Sequence, residues 1–401
     1  MKQIIQSLKD GSTKLVDVPM PSLKTGHVLV HTTQTLVSLG TEKMLVKFGQ
    51  STLIEKIKKR PDQVKKALQR MKSDGIFSTI NLVKEKLDQE FPLGYCNVGT
   101  VIESAVDGIV TGDRVASNGN HSEIVLVPEN LIVKIPDNVS DDEASFTVIG
   151  SIGLQGIRLI KPEFGENIVV IGLGLVGLIT VQLLKANGIN VIGVDIDKRK
   201  CELAKSYGAI TINSLKDDPV KSVKSIIGED GADGVLITAS ADTNSIISQA
   251  AQMSRKRGRI ILVGVIGLNI DRNDFYEKEL SFQVSCSYGP GRYDSDYEVK
   301  GIDYPLPYVR WTEKRNFEAI ISALENKSLI VDNLITEKIP IENYNKVYNS
   351  IGDDGSIASI FTYSQNIGYE DVIICNNKQI GIDEGTIGII GSGNFTKTTI
   401  L

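Results

Sequence analysis

The chain has 401 residues, 41% hydrophobic and 23% charged, the composition of a soluble globular protein with roughly two or three cores. Its formal net charge of −5 gives no general pull toward nucleic acid or an anionic membrane. Cys96, Cys201, Cys286 and Cys375 stand far apart with no CxxC pair, which indicates neither a disulfide framework nor a cysteine-rich zinc lobe. The opening MKQIIQSLKDGSTK lacks the apolar core of a signal peptide, so a cytoplasmic protein is expected.

Residues 1–41 read as short strands, 14–18 and 28–33, punctuated by Pro19, Pro21 and Thr25-Gly26. The character then changes, and 53–59, 61–73 and 76–90 read as helices. Pro61 suits a first helical position, and Val64, Ala67, Leu68 and Met71 form an apolar stripe. Residues 56–72 carry eight basic side chains against one acid, Asp62. Such a run suits a phosphorylated or nucleotide-linked substrate or an acidic partner, but a solvated helix face is the favoured reading. Strands return at 98–103, 114–117, 123–127 and 131–134, after which Ser140-Asp141-Asp142-Glu143 opens a helix with acids in its first turn.

The most informative stretch is 167–195, NIVVIGLGLVGLITVQLLKANGINVIGVD. A buried-type apolar strand enters Gly172-Leu173-Gly174-Leu175-Val176-Gly177, a GxGxxG turn followed by a helix-length segment. A second strand ends on Asp195, 23 residues after the first glycine. Gly172 permits the tight turn, Gly174 lets backbone amides approach a pyrophosphate, and Gly177 lets helix and strand pack closely. The helix start adds partial positive charge at the phosphates, together with the Leu175 and Val176 amides. Asp195 can accept ribose hydroxyls and would repel a 2′-phosphate, which favours NAD(H) over NADP(H), although Lys198 and Arg199 keep the second open. A ligand-free glycine turn and a membrane span over 168–184 are the competing readings. Strand, glycines, helix, strand and acid in this order argue against both.

Beyond Asp195, helices (198–207, 220–227, 245–253) alternate with strands (210–212, 234–238, 259–263), the pattern of a doubly wound parallel α/β sheet. Ligands lie beyond the carboxyl ends of such strands, which places Thr238, Ala239, Ser240, Gly264 and Val265 along the cofactor. Residues 280–288 give a further strand. Then come the loop Gly289-Pro290-Gly291-Arg292-Tyr293, a helix near 311–324 and a closing strand at 357–363. In the tail, residues 386–396 (TIGIIGSGNFT) read as another strand running into GxGxxT, the opening of a second dinucleotide unit with only five residues after Thr396. A truncated chain is the expectation.

Taken together, these residues resemble the medium-chain dehydrogenase/reductase family, the zinc alcohol dehydrogenase relatives. The similarity covers roughly 1–363 and rests on Gly40-Thr41-Glu42, the glycines 94 and 99, Gly112-Asp113-Arg114-Val115, Val127-Pro128, the glycine turn with Asp195, and Val263-Gly264. It implies a GroES-like substrate domain (1–150, with a helical insertion at 42–90, completed by 297–363) flanking a Rossmann NAD-binding domain (151–296). The active site is expected in the cleft between them. Residues 364–401 would be a linker and the opening of a truncated unit resembling the glucose–fructose oxidoreductase/inositol dehydrogenase family. Bacterial two-domain oxidoreductases of polysaccharide gene clusters have this arrangement. A small-molecule substrate of sugar or nucleotide-sugar type, and a homodimer, are implied by the resemblance alone.

The departures bear on chemistry. Where metal-binding members carry Cys and His, this chain has Leu39 and Tyr95, and no Cys, His or acid lies between Ala144 and Lys161 to give a third ligand. Zinc needs three protein donors at a catalytic site, so no zinc is expected. The charge that develops on a reacting carbonyl oxygen must then be met by other groups. Tyr95 and Thr41 are the first candidates, the latter matching the family's proton-relay hydroxyl; Tyr288 and Arg292 are the second pair. Tyr95 could equally be a packing aromatic and Arg292 a surface turn residue. The expected activity is a zinc-independent, NAD(H)-dependent oxidoreductase on a polar carbonyl or alcohol. A quinone or enone reductase and a catalytically silent NAD-binding module are the alternatives.

Overall fold

The computed structural model describes residues 1–7, 11–38, 40, 42, 90–349 and 355–365. The basic helical segment, Leu39, Thr41 and the second glycine motif lie outside the described residues.

The first part of the chain is β-rich: β1 (Lys2–Ser7), β2 (Thr13–Asp17), β3 (His27–Val37), β4 (Glu90–Pro92), β5 (Asn97–Ser104), β6 (Arg114–Ser117), β7 (Ile124–Pro128) and β8 (Ile132–Lys134). Strand β1 pairs antiparallel with β2 and β4 in a small sheet. It is absent from the sequence reading because only the pair Ile4-Ile5 stands out between polar neighbours, yet both are buried. Strand β3 organises the larger sheet. One of its edges pairs with β5, while along the other His27–His31 takes β7 and Gln34–Val37 takes the last strand of the described chain. It runs well past the expected 28–33 because its polar central residues find buried partners, such as Asn97 Nδ2 donating to Thr32 Oγ1 at 2.8 Å.

Two helices link this part to the parallel sheet: α1 (Asp141–Ala144) and α2 (Thr147–Ile160). Ser140 and Glu143 form a reciprocal capping box at the start of α1. The expected single helix is therefore two, separated by Ser145 and Phe146.

The sheet that follows is built from β9 (Asn167–Ile171), β10 (Asn190–Asp195), β11 (Ile210–Asn213), β12 (Ala232–Ile237), β13 (Ser254–Leu262) and β14 (Ser281–Val284). Between them run α3 (Leu175–Ala186), α4 (Lys198–Ser206), α5 (Pro219–Ile227), α6 (Ser245–Met253) and α7 (Arg272–Tyr276). The spatial order is β11-β10-β9-β12-β13-β14 with every pairing parallel, the doubly wound Rossmann arrangement. Central strand β9 is an unbroken apolar run because helices cover both faces, and Ile168, Val169 and Val170 are fully buried. Strand β14 stops short of the expected 280–288. It has one partner only, and the chain turns away at Ser287, whose φ is +46°.

After the parallel sheet come α8 (Ser295–Glu298), α9 (Glu313–Glu325), β15 (Ile335–Pro340), α10 (Tyr344–Asn349) and β16 (Ala358–Thr362). Strand β16 is the one that pairs with β3, so the carboxyl end of the described chain completes the amino-terminal sheet. Helix α9 buries Phe317, Ile320 and Leu324, and Ile320 lies against Gly150 of α2, where an added Cβ would come within 3.1 Å. The fold is α/β, a GroES-like β-rich part joined to a Rossmann sheet. No helix among the described residues is long and apolar enough to cross a membrane.

Removing the capping hydroxyl with Ser140→Ala leaves the Glu143 amide without its acceptor and should cost about 1 kcal/mol of stability. Urea unfolding of the two proteins measures it.

Candidate active site

At the carboxyl end of β9 the chain turns through Gly172, whose φ of +96° is accessible to glycine at little cost. A Cβ there would also stand 2.6 Å from the Ala239 nitrogen. Gly177 is tighter still, since an added Cβ would lie 1.9 Å from the Gly172 carbonyl oxygen. Gly174, at the cap of α3, has nothing within 4 Å of such a Cβ. Two glycines are thus filled by protein, and the middle one opens outward where a phosphate would approach. The amides of Leu175 and Val176 open the helix there.

The remaining cofactor candidates shape this turn. Thr238 donates its hydroxyl to the Gly172 carbonyl at 2.5 Å, and the Ala239 amide donates to Ile171. Ser240 forms an isolated parallel bridge with Val265, and Gly264 would place a Cβ 2.1 Å from the Ala239 oxygen. All five residues, Thr238, Ala239, Ser240, Gly264 and Val265, therefore gather beside the glycine turn. Asp195 accepts from the Leu173 amide at 2.6 Å through Oδ2 and from the Asp197 amide at 2.7 Å through Oδ1. Each carboxylate oxygen keeps a second lone pair for a ribose hydroxyl. Arg199, a candidate for a 2′-phosphate, pairs with Asp197 at 3.2 Å.

In the β-rich part, Tyr95 is partly buried and donates its hydroxyl to Ser38 Oγ at 2.6 Å. Ser38 belongs to a hub around Glu42, the acid of the Gly40-Thr41-Glu42 motif, whose other partners the sequence reading missed. The Ser38 amide donates to Glu42 Oε1 at 3.0 Å, and His121 Nε2 lies 3.3 Å from the same oxygen. Tyr348 donates to the other Glu42 oxygen. His121 Nδ1 meets Thr35 Oγ1 at 2.7 Å, and Thr35 in turn meets the Tyr363 hydroxyl at 2.9 Å. Gly94, beside Tyr95, lies so close to the His121 ring that a Cβ would stand 2.6 Å from it. His121 and Glu42 are both buried, so this network fixes the two chain segments that carry Tyr95 and Ser38. Residues 35, 42, 121, 348 and 363 are too widely spaced for any local pattern to announce them.

Tyr288 and Arg292 are brought together elsewhere. Tyr288 is 3% exposed, packs against Phe317 with ring centroids 5.3 Å apart, and receives Asn118 Nδ2 on its hydroxyl at 3.5 Å. Burial pushes its phenol upward, so it stays protonated. Arg292 pairs through Nη1 with Glu298 and stacks 4.3 Å from the Tyr293 ring centroid. Beside them, at the start of α9, stands Glu313, another residue the sequence reading missed. It is 0% exposed, and neither carboxylate oxygen has a hydrogen-bond partner among the described residues. Burial, reinforced by Glu298 and opposed by Arg292, pushes its carboxyl up to about 8.

Zinc fits poorly with the donors present. The resemblance implies three ligand positions in the metal-binding members, at Leu39, at Tyr95 and near Val148–Ile149, and none of these side chains is a usual zinc donor. Cys96 is buried, with its thiol pushed well up by that burial, and the nearby Glu42 and His121 are saturated within their own network. Among the described residues, no three His, Cys, Asp or Glu side chains come together in a way that could hold a metal ion.

A glycine turn at the carboxyl edge of a Rossmann sheet, joined to a GroES-like part, defines the dinucleotide-dependent dehydrogenase class. The zinc-binding dehydrogenase family matches residues 176–299. The D-guloside 3-dehydrogenase of Escherichia coli K12 is 30% identical over 284 residues, covering 68% of this chain and 76% of that enzyme. An alcohol dehydrogenase of Geobacillus stearothermophilus is 34% identical over 151 residues, 37% of this chain and 43% of that enzyme, so the chain aligns with less than half its length. Galactitol-1-phosphate dehydrogenase from Escherichia coli has the same fold, with a TM-score of 0.68 at 18% identity over 90% of this chain and all of that one. The chain belongs to the zinc-type alcohol dehydrogenase-like family of medium-chain dehydrogenases/reductases, a family of oxidoreductases that use NAD(P).

Two outcomes follow from the geometry. Gly177→Val drives a side chain into the Gly172 carbonyl and should abolish NADH binding, measured by cofactor fluorescence, while lowering Tm by several degrees. For Glu313 the folded carboxyl titrates near 8, against about 4.5 for a free one, so between those values the folded state holds an extra proton. Its contribution to stability is therefore complete at low pH and declines as pH rises from about 4.5 through 8, by on the order of 5 kcal/mol in all. Thermal melts from pH 5 to 9 should show this decline in the natural chain and a flatter profile in Glu313→Gln.

Proposed function

We propose that the chain is an NAD(H)-dependent dehydrogenase that acts without zinc on an alcohol or carbonyl carbon of a sugar or nucleotide-sugar. The observation that carries this reading is the Tyr95–Ser38 hydroxyl pair, 2.6 Å apart, where the family's metal-binding members place a zinc ligand. The sugar-like substrate is supported by the relative named D-guloside 3-dehydrogenase, and a role in bacterial polysaccharide synthesis is part of the same proposal.

In this reading the amides at Gly174–Val176 and the start of α3 hold the pyrophosphate. Asp195, already oriented by two backbone amides, takes the ribose hydroxyls. Its charge, with Arg199 engaged by Asp197, supports NAD over NADP. When bound, the nicotinamide supplies or takes up the hydride. Tyr95 gives its proton to the reacting oxygen, or takes one from it, and Ser38 replenishes or relays that proton through their hydrogen bond. Thr41 is a second hydroxyl proposed for this relay. Tyr288 and Arg292 are proposed to contact the substrate from the other side, and the Glu42–His121 hub acts as the positioning element behind Ser38.

Reduction of keto-sugar nucleotides and oxidation of methyl glycosides, followed at the NADH absorbance, tests the activity. Tyr95→Phe should lower kcat by about 100-fold with the NADH Kd unchanged. Asp195→Asn should weaken NADH binding about tenfold and narrow the preference over NADPH. NADH binding without turnover across the panel would instead identify a silent NAD-binding module, and stoichiometric zinc in the purified protein would overturn the metal-free chemistry.

A further inference from the structure

Arg158 on α2 stands apart from the other partly buried arginines of the described chain. Arg114, Arg255, Arg259, Arg292 and Arg315 are each ion-paired with a carboxylate. Arg158 has no such partner among the described residues. Its Nε donates to Asn316 Oδ1 at 2.7 Å, and its guanidinium carbon lies 3.3 Å from the ring centre of Trp311. The guanidinium carbon of Arg310 lies 3.8 Å from the same ring centre, and it too has no carboxylate among the described residues. The two positive groups are therefore no more than about 7 Å apart.

Like charges held this close repel. Burial, reinforced by Arg310, pushes the Arg158 guanidinium down to about 10, so it is still charged at neutral pH. The indole face recovers part of that cost. The arrangement is nonetheless fixed rather than splayed. Asn316, itself fully buried, holds Arg158 and donates to the Tyr288 carbonyl at 2.8 Å. Arg315 ties down the loop that carries Arg310, donating to the Val309 carbonyl at 2.5 Å and the Tyr304 carbonyl at 3.2 Å.

The pair opens to solvent, since Arg310 is exposed and Arg158 and Trp311 are only partly buried. Nη1 and Nη2 of Arg158 and every N–H of Arg310 are free of hydrogen-bond partners among the described residues. An anion would satisfy them if it had more oxygens than one guanidinium fork consumes. A carboxylate fills a single fork with its two coplanar oxygens, whereas the tetrahedral oxygens of a phosphate can accept from both. We propose that Arg158 and Arg310, stacked on Trp311, form a binding site for a phosphate group, built from residues other than those of the glycine turn. The site goes beyond the dehydrogenase reading and needs neither cofactor nor turnover.

Trp311 is the single tryptophan of the chain, so its fluorescence reports on the stack directly. The test titrates the full chain with inorganic phosphate, α-D-glucose 1-phosphate and uridine diphosphate at ionic strength held constant with chloride, with calorimetry as a second readout. We expect a saturable change in Trp311 emission with at least one of them, and a loss of affinity of about tenfold or more in Arg310→Gln and in Arg158→Gln. Arg310→Lys, which keeps the charge without the fork, should lose about threefold. Arg310 is exposed, so its variants keep the test alive if Arg158→Gln does not fold. The tightest of the three ligands identifies the source of the phosphate as a free ion, a phosphosugar or a nucleotide. A response reproduced by chloride alone would reduce the stack to a counterion site and overturn the proposal. No saturable response, or phosphate affinity unchanged in Arg310→Gln, would overturn it as well.

Discussion

The contact between Gly177 and the Gly172 carbonyl is the constraint on which the dinucleotide part depends. With no side chain at 177, helix α3 begins directly behind β9, and its first amides face the space that Gly174 leaves open. Asp195 then ties the neighbouring strand to the same turn through the Leu173 amide, and Thr238 ties the strand on the other side through the Gly172 carbonyl. Three adjacent strands, β10, β9 and β12, are thus locked at one edge by polar bonds as well as by their ladders. The turn proposed to cradle a phosphate is thus held from both sides by contacts within the chain itself.

Two buried acids mark the rest of the molecule, and they differ in one respect. Glu42 is saturated by His121, Tyr348 and the Ser38 amide, the condition under which a buried polar network rigidifies its surroundings. Neither Glu313 oxygen has a hydrogen-bond partner among the described residues, and its charge lowers stability wherever it is ionised. The first network holds the Ser38 and Tyr95 hydroxyls in place, and the second acid is a local cost at the start of α9.

The Rossmann sheet was legible because its signals are local. Apolar runs, glycines and a terminal acid give two strands within 167–195, and the alternation that follows gives three more, although the strand expected at 259–263 begins five residues earlier, at Ser254. The sixth was overextended, because an edge strand with one neighbour ends where the backbone turns at Ser287 rather than where residue types change. The β-rich part was harder. Strand β1 offers two isoleucines among polar residues, and half of β3 is polar side chains whose burial depends on partners far along the chain. The glycine-turn residues could be read for the same reason as the sheet. Tyr95 could be read only through its place in a family motif. Glu42 was legible in the same way, through Gly40-Thr41-Glu42, whereas the partners of His121 and the burial of Glu313 have no local signature, since burial and partnership are properties of the assembled fold.

Strand β16 closing on β3 has a consequence for how the molecule forms. The parallel sheet is contiguous in sequence, from Asn167 to Val284, and every strand of it lies within that one stretch. The larger, mixed sheet must wait for residues 358–362 before β3 has a complete edge. During synthesis the parallel sheet can therefore be finished while its companion is still missing a strand, with long loops yet to close. The part of the chain with the glycine turn gains its contacts first, and the sheet that opens the chain gains its last edge only at the end.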